Sequence, residues 1–434
     1  MNERLIIRGG HPLEGIIEVR GSKNAASKMM IASLLTDETC AIENVPLSAE
    51  IDITRELCEH IGSDVVISDT RVCRMQTPHV RTSSVMELSR KNRIPILALG
   101  PLLHRRGFAE IPVLGGCPIG HRPINLHVEA LNKMGVRIER REHSYYAQAH
   151  DIHGADIEFE YPSVGATENT ILTAVRARGV TRIANAATEP EIINLITMLN
   201  GMGAHIAVKE QAREINIEGV ERLQGTVVRV IPDRNEIVSF AAATLATGGS
   251  VNMLHIEEGH LTAFLEKAKE LGARIEIKPD GILFESNGLR GISIQTSPHP
   301  GFMTDWQQPF CVLLTQAEGE SIMHETVYED RFGYAKELQR MGGDIVISDE
   351  CLGFERCRFA GQTFNHSVRI RGPRRLRGTE IAITDIRAGM AHIVAALAAE
   401  GESVITGIHH VDRGYEKLDE RLRMLGADIR RVAT

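Results

Sequence analysis

The chain has 434 residues, 43% hydrophobic and 24% charged, a globular composition long enough for two or three domains. Its net charge of −8 argues against a broad nucleic-acid surface, and no apolar run approaches the roughly 18–20 residues a bilayer span requires. The opening MNERLIIRGGHPLEG carries no apolar signal region, and the seven cysteines are scattered with no CxxC pair, so the sequence predicts a cytoplasmic protein with neither a disulfide framework nor a metal site.

Taken in chain order, the first informative stretch is RGSKNAASKMMIASLL, residues 20–35. Ser22 stands where a helix N-cap is expected, which puts Lys23 and Asn24 in the first turn. A lysine there opposes the helix dipole unless an anion is bound; the plainer alternative is an exposed lysine. LCEHIGSDVVI then introduces a pattern of helix, glycine and strand that recurs as LNKMGVRI, LNGMGAHIAV, AKELGARIEI, LQRMGGDIVI and RMLGADIRRV. The glycines are Gly62, Gly135, Gly203, Gly272, Gly342 and Gly426, spaced by 73, 68, 69, 70 and 84 residues. Glycine ends a helix in a left-handed conformation, and the alternating residues after it begin a strand. A second series, in LGPLLHRRGFAEI, LTAVRARGVTRI, ATLATGGSVNML, LLTQAEGESIM and ALAAEGESVI, runs in phase with the first, and SLLTDETCAI fills the same place in the first unit without the Gly. Each unit therefore reads strand–helix–strand–helix, repeated six times, and predicts an α/β (α+β) fold made from six copies of one module.

Between the first two copies of this pattern lies VLGGCPIGHRPINLH at 113–127, a Gly- and Pro-rich loop holding Cys117, Arg122 and His127. Its glycines and prolines pack no core, and Arg122 favours the thiolate, so Cys117 reads either as a reactive thiol or as an inert one. IPDRNE at 231–236 is the expected domain boundary, with a structural ion pair. Further on, Asp305 sits in PHPGFMTDWQ, Arg331 in ETVYEDRF, Asp385 and Arg387 in ITDIRAGM, and Arg413 in HHVDRGYEKL. Taken singly, each of these acidic–basic clusters reads as a helix cap with a surface ion pair. The neighbours His409 and His410 have no metal-binding spacing and read as structural.

Together the segments GSKNA, LALGPLL, GGCPIGHRPINLH, PSVGATEN, NAATEPEI, PDRNEI, PHPGFMTD, ETVYEDRF, TDIRAG and HHVDRGYEKL resemble the enolpyruvyl transferase family, in its peptidoglycan-synthesis branch, over the whole chain. The resemblance implies a two-domain inverted α/β barrel, with three of the ~70-residue repeats in each domain. Residues 22–231 would form one domain and residues 1–21 with 232–434 the other, with the active site in the cleft between them. It implies transfer of the enolpyruvyl group of phosphoenolpyruvate to the 3-hydroxyl of UDP-N-acetylglucosamine, with release of phosphate and no cofactor or metal.

Carried over, Cys117 is the general acid and the target of the epoxide fosfomycin, and Asp305 is the general base. Lys23, Arg122, Arg331 and Arg413 are the cations around phosphate and carboxylate. Asn24, Arg93, Val327, Asp385 and Arg387 also line the substrates. Arg122, Pro123, Ile124, Asn125 and Leu126, with Tyr161, Pro162, Ser163 and Val164, hold the uridine and diphosphate. Asn125 stands where the family usually has Asp, Tyr161 where many members have Lys, and Met303 where Pro is common; Pro118 and His121 alter the loop. These departures leave open a different nucleotide acceptor, or a UDP-sugar-binding paralog without turnover.

Overall fold

The computed structural model describes residues 3–86, 92–114, 123–354 and 357–433. All six glycines of the first series have positive φ, from +87° at Gly135 to +130° at Gly62, and the second series does the same at Gly107, Gly179, Gly248, Gly319 and Gly401. The repeat is thus written in backbone conformation: each helix stops where only glycine turns left-handed without strain.

Among the described residues the strands form six small sheets, five of them with one four-stranded topology. In these five a first strand runs parallel to a second, which pairs antiparallel with a third, which pairs antiparallel with a fourth. Asp156–Glu158, Val180–Ala184, Glu214–Glu218 and His205–Lys209 are one example. In the sheet of Phe108–Pro112, Ser144–Gln148 and Arg137–Arg140, a single parallel bridge from Ser84 to Glu110 stands in for the missing strand.

The chain divides into two units. One is drawn from the residues up to Arg20 and from Pro232 onward, the other from the described residues of Gly21–Ile231. The chain crosses between them twice. On one side Ser22 N–H donates to Ile231 O at 2.8 Å, and on the other Asp233 N–H donates to Arg20 O at 2.8 Å. Glycine is obligatory at the crossing, because a Cβ on Gly21 would lie 1.8 Å from Asn44 O.

Each unit has its own aliphatic core. In the discontinuous unit the helices Arg234–Ala246, Gln307–Leu314 and Ile386–Ala398 pack against one another, the first two with every residue buried. A helix buried all round needs apolar or small residues on every side, and RNEIVSFAAATLA supplies them beyond its first turn. The shorter helices Thr262–Leu271, Ala335–Arg340 and Leu418–Met424 keep one face outward. In the continuous unit Lys23–Ala32 and Val164–Ala174 are the buried helices, and Ala49–Ile61 and Asn125–Lys133 the half-exposed ones. Polar side chains concentrate at the first turns of the central helices, and the site is built there. Among the described residues, no helix is long and apolar enough to cross a membrane.

Candidate active site

In the discontinuous unit, three central-helix starts converge. Asp305 lies in the 3-10 turn Thr304–Trp306 that leads into Gln307–Leu314. Its carboxylate accepts from Arg331 Nη2 at 2.7 Å on one oxygen and from Arg387 Nε at 3.1 Å on the other. Both guanidiniums are almost sealed from solvent, with side chains 3% and 6% exposed, whereas Asp305 is 26% exposed. Burial pushes the Asp305 carboxyl up, but Arg387 and Arg331 outweigh it and hold the group far below the usual carboxylate range. The acid is ionised at any physiological pH.

A second tier fixes the two arginines. Arg387 Nη1 donates to Tyr415 Oη at 3.1 Å, and that hydroxyl bonds Ser239 Oγ at 2.7 Å. Arg331 Nη1 donates to Thr304 Oγ1 at 2.6 Å. Thr304 in turn donates to the buried carboxylate of Glu325 at 2.9 Å. Glu325 also accepts from Gln307 Nε2 at 2.5 Å and from the N–H groups of Val327 and Tyr328 at 2.7 and 3.0 Å. Burial raises the Glu325 carboxyl, with Arg331 and the backbone donors acting against it. Because the Val327 N–H is committed to Glu325, a ligand contact from this backbone runs through its carbonyl. Glu325, Gln307 and Tyr415 are absent from the sequence expectation. Glu325 opens ETVYEDRF, but its side-chain partners Gln307 and Thr304 lie 18 and 21 residues away.

Asp385 is the N-cap of Ile386–Ala398, accepting from Arg387 N at 2.9 Å and Ala388 N at 3.0 Å. The cap reading is therefore correct locally. Asp385 also lines a pocket with Arg331, Gln308, Tyr334, Thr384 and His392, so it faces solvent-filled space beside Arg331. Arg413 is half-buried at the end of His409–Asp412, and its charge adds to burial and to His409 in lowering His410, against Asp385. At IPDRNE, Asp233 caps Arg234–Ala246, and Glu236 makes the structural ion pair, with Arg421 at 2.7 Å.

In the continuous unit, Lys23 and Asn24 do begin a helix, but Ser22 does not cap it through its side chain. The Ser22 hydroxyl is buried with no hydrogen-bond partner among the described residues. The helix Lys23–Ala32 packs on the 3-10 turn Ile94–Ala98, whose N-terminal neighbour is Arg93. His127 brings the two expected nucleotide stretches together. Its Nδ1 lies 3.2 Å from Asn169 Nδ2, and a Cβ on Gly165 would come within 3.2 Å of its ring. Burial, with Arg93 adding to it, lowers His127 to about 3, so the ring is neutral. Pro123 and Asn125 are exposed, and Ile124, Leu126, Tyr161, Pro162, Ser163 and Val164 are half-buried, leaving both stretches surface to offer a ligand. Ser163 caps Val164–Ala174 by accepting from Ala166 N at 3.4 Å. Cys117 and Arg122 lie outside the described residues.

A carboxylate gripped by two sealed arginines, and a helix start carrying Lys and Asn, are groups suited to anionic substrates and to proton removal beside them. Comparison with known proteins points the same way. The sequence profile of the family described as EPSP synthase (3-phosphoshikimate 1-carboxyvinyltransferase) matches residues 7–422. The UDP-N-acetylglucosamine 1-carboxyvinyltransferase of Protochlamydia amoebophila is 45% identical, covering 98% of this chain and 93% of that protein. The protein of the same name from Caulobacter vibrioides is 40% identical over 99% and 98%. Among solved structures, the enolpyruvyl transferase NikO of Streptomyces tendae superposes with a TM-score of 0.87 at 22% identity, covering 100% of this chain and 99% of that one. EPSP synthase from Acinetobacter baumannii gives 0.73 at 17% identity, with both chains fully covered. At such identities these two likenesses speak for the fold alone.

Proposed function

The chain belongs to the enolpyruvyl transferase family, with the UDP-N-acetylglucosamine 1-carboxyvinyltransferases as its close relatives, and from that premise we propose that it moves the enolpyruvyl group of phosphoenolpyruvate onto the 3-hydroxyl of UDP-N-acetylglucosamine in the cytoplasm, the first committed step of peptidoglycan synthesis. The observation that carries the chemical reading is Asp305 held between Arg331 and Arg387.

In the proposed reaction Asp305 takes the proton of the sugar hydroxyl as its oxygen bonds to C2 of phosphoenolpyruvate, while Cys117 delivers a proton to C3. Lys23, Arg122, Arg331 and Arg413 stabilise the phosphate and carboxylate of the tetrahedral adduct. The C2–O bond to phosphate then breaks, C3 gives up a proton, and the enol ether leaves. Asn24, Arg93, Asp385, Arg387 and the Val327 carbonyl position the substrates. Residues 122–126 and 161–164 hold the uridine and diphosphate.

A carboxylate kept so acidic by two cations is a weak base, so the arginines must be drawn partly away before it works. The incoming anionic groups of phosphoenolpyruvate do this: each guanidinium that turns to phosphate or carboxylate lifts the Asp305 pKa toward the range a general base needs. Substrate binding thereby switches the base on.

The test is phosphate release by the pure protein from phosphoenolpyruvate, offered a panel of UDP-sugars and other nucleotides. Release with UDP-N-acetylglucosamine and not with the others is the expected result. Release only with another acceptor refutes the acceptor assignment, and none with any acceptor refutes turnover.

A further inference from the structure

One repeat is longer than the rest. Gly342 and Gly426 are 84 residues apart where the other spacings run from 68 to 73, and the surplus falls in one hairpin. Strands Asp344–Ser348 and Ser367–Gly372 are joined by residues 349–366, whereas the equivalent hairpins turn over residues 68–72, 141–143, 210–213 and 279–280. A hairpin connection of that length is unusual and needs its own anchorage.

The anchorage is chemically specific. His324 ends the strand Gly319–His324 and pairs directly with Ser367, so His324 and His366 sit where the long hairpin leaves the sheet. Cys351 and Cys357 come from the hairpin itself. The ligating atoms of His324, Cys357 and His366 all lie within 4.8 Å of one another, and Cys351 Sγ is 3.3 Å from His366 Nε2. Tetrahedral zinc, with bonds of about 2.3 Å to sulfur and about 2.0–2.1 Å to nitrogen, sets its ligand atoms about 3.3–3.8 Å apart, so an ion would draw His324, Cys357 and His366 together by up to about 1 Å and Cys351 in toward them.

The surrounding hydrogen bonds fix both imidazoles in the required tautomer. His366 Nδ1–H donates to Phe364 O at 2.7 Å, which leaves the Nε2 lone pair toward Cys351. Ser367 Oγ–H donates to Glu350 O at 2.5 Å, so that oxygen accepts from His324 Nδ1–H at 2.8 Å. His324 Nε2 is then a bare lone pair, sealed from solvent and without a hydrogen-bond partner among the described residues. Orphaned buried nitrogens are rare, and metal-binding histidines characteristically spend the other ring N–H on such a partner. Phe359 N–H donates to Cys357 Sγ at 3.3 Å, as suits a thiolate. Gly353 lets the hairpin backbone lie on the imidazole: a Cβ there would come within 2.3 Å of His324 Cδ2. Cys351 is exposed and gives an ion its route in.

We propose that His324, Cys351, Cys357 and His366 form a structural Cys2His2 zinc site that clips the 349–366 hairpin to the sheet. Two sulfurs and two imidazole nitrogens are a donor set that selects zinc over the oxygen-seeking cations. The proposal departs from the expectation of no metal site, drawn from the lack of a CxxC pair: the four residues come from a strand end, a long hairpin and the next strand's approach. The clip also braces the catalytic side of the unit. Glu325, the residue after His324, holds the Val327 and Tyr328 N–H groups, and Asn365 N–H donates to Asp330 Oδ1 at 2.8 Å, so the strand end at His324 and the hairpin's far end both bear on the segment that carries Arg331.

The test uses the untagged full-length chain, purified under reducing conditions and assayed for zinc by mass spectrometry, then stripped and titrated with cobalt(II). Expected are about one zinc per chain and the visible absorption of tetrahedral thiolate-bound cobalt, retained in Cys117→Ser. Cys357→Ser should weaken zinc binding by more than the roughly 10–100-fold that loss of an outer partner costs, and Ser367→Ala by about that amount. Should Cys357→Ser fail to fold, the exposed Cys351→Ser still loses one sulfur-to-cobalt band. The proposal is overturned if the reduced chain takes up neither metal, if both cysteine variants bind like the parent, or if Cys351 and Cys357 are recovered as a disulfide from the reducing preparation.

Discussion

Replacing Asp305 by Asn removes one charge and almost no volume, and it strands two guanidiniums that the fold has sealed from water. Breaking a buried ion pair from one side costs about 3–5 kcal/mol. The lower end applies here, about 3 kcal/mol, because Glu325 stays near Arg331 and the Tyr415 hydroxyl stays on Arg387. For a folding unit of this size that is a fall in melting temperature of about 6–12 °C. Scanning calorimetry measures it, and adding inorganic phosphate provides a second arm. With Asp305 neutral the two arginines are free to take an external anion, so phosphate should raise the melting temperature of Asp305→Asn more than that of the parent. A variant that melts within about 2 °C of the parent and shows no extra response to phosphate would refute the view that this carboxylate restrains the arginines until substrate arrives.

Glu168 supplies a pH signature. Burial raises its carboxyl to about 7, Lys28 acting against this and Glu189 and Glu191 with it. Between its ordinary value of 4.5 and that raised value the folded chain holds a proton that the unfolded chain has released, so stability falls as pH climbs through this window, by about 3 kcal/mol. Chemical denaturation from pH 4.5 to 7.5 should show the decline, and Glu168→Gln should flatten it. Glu236→Gln breaks the sealed pair with Arg421 and should cost about 3–5 kcal/mol by the same assay, whereas the double change Glu236→Leu with Arg421→Met should recover most of it. Fosfomycin should abolish phosphate release by the parent on preincubation and leave any residual release by Cys117→Asp untouched; equal inactivation of both would remove Cys117 from its proposed role.

Much of the fold was legible because its punctuation is local. A helix-ending glycine needs only its own backbone, so the two in-phase series mark eleven left-handed glycines directly, and the six modules follow from them. Asp233 and Asp385 were readable as caps for the same reason: the groups they accept from lie two and three residues on. Ser22 occupies the N-cap position, but its hydroxyl does not turn to the helix, a choice that the sequence around it does not encode. What stayed illegible is held by contacts between distant residues. Glu325 matters through Thr304 and Gln307, Arg387 through Asp305 and Tyr415, and the His324 imidazole through Ser367. Cysteine spacing says nothing about the cluster of His324, Cys351, Cys357 and His366, because spacing along a chain is informative only when the groups share one short segment.

Glu3–Arg8 sits between Glu402–Thr406 and Asp428–Ala433, with Glu3 opposite Ala433. During synthesis Glu3–Arg8 therefore waits for Asp428–Ala433, more than 400 residues later, before its sheet can close. At about 5–20 residues per second that wait is on the order of 20–80 s, while the module series from Gly21 to Ile231 emerges whole and can settle first. A nascent chain cut short before Asp428–Ala433 would leave Glu3–Arg8 with a bare, bonding edge, so termination there should yield a product that is half folded and prone to self-association.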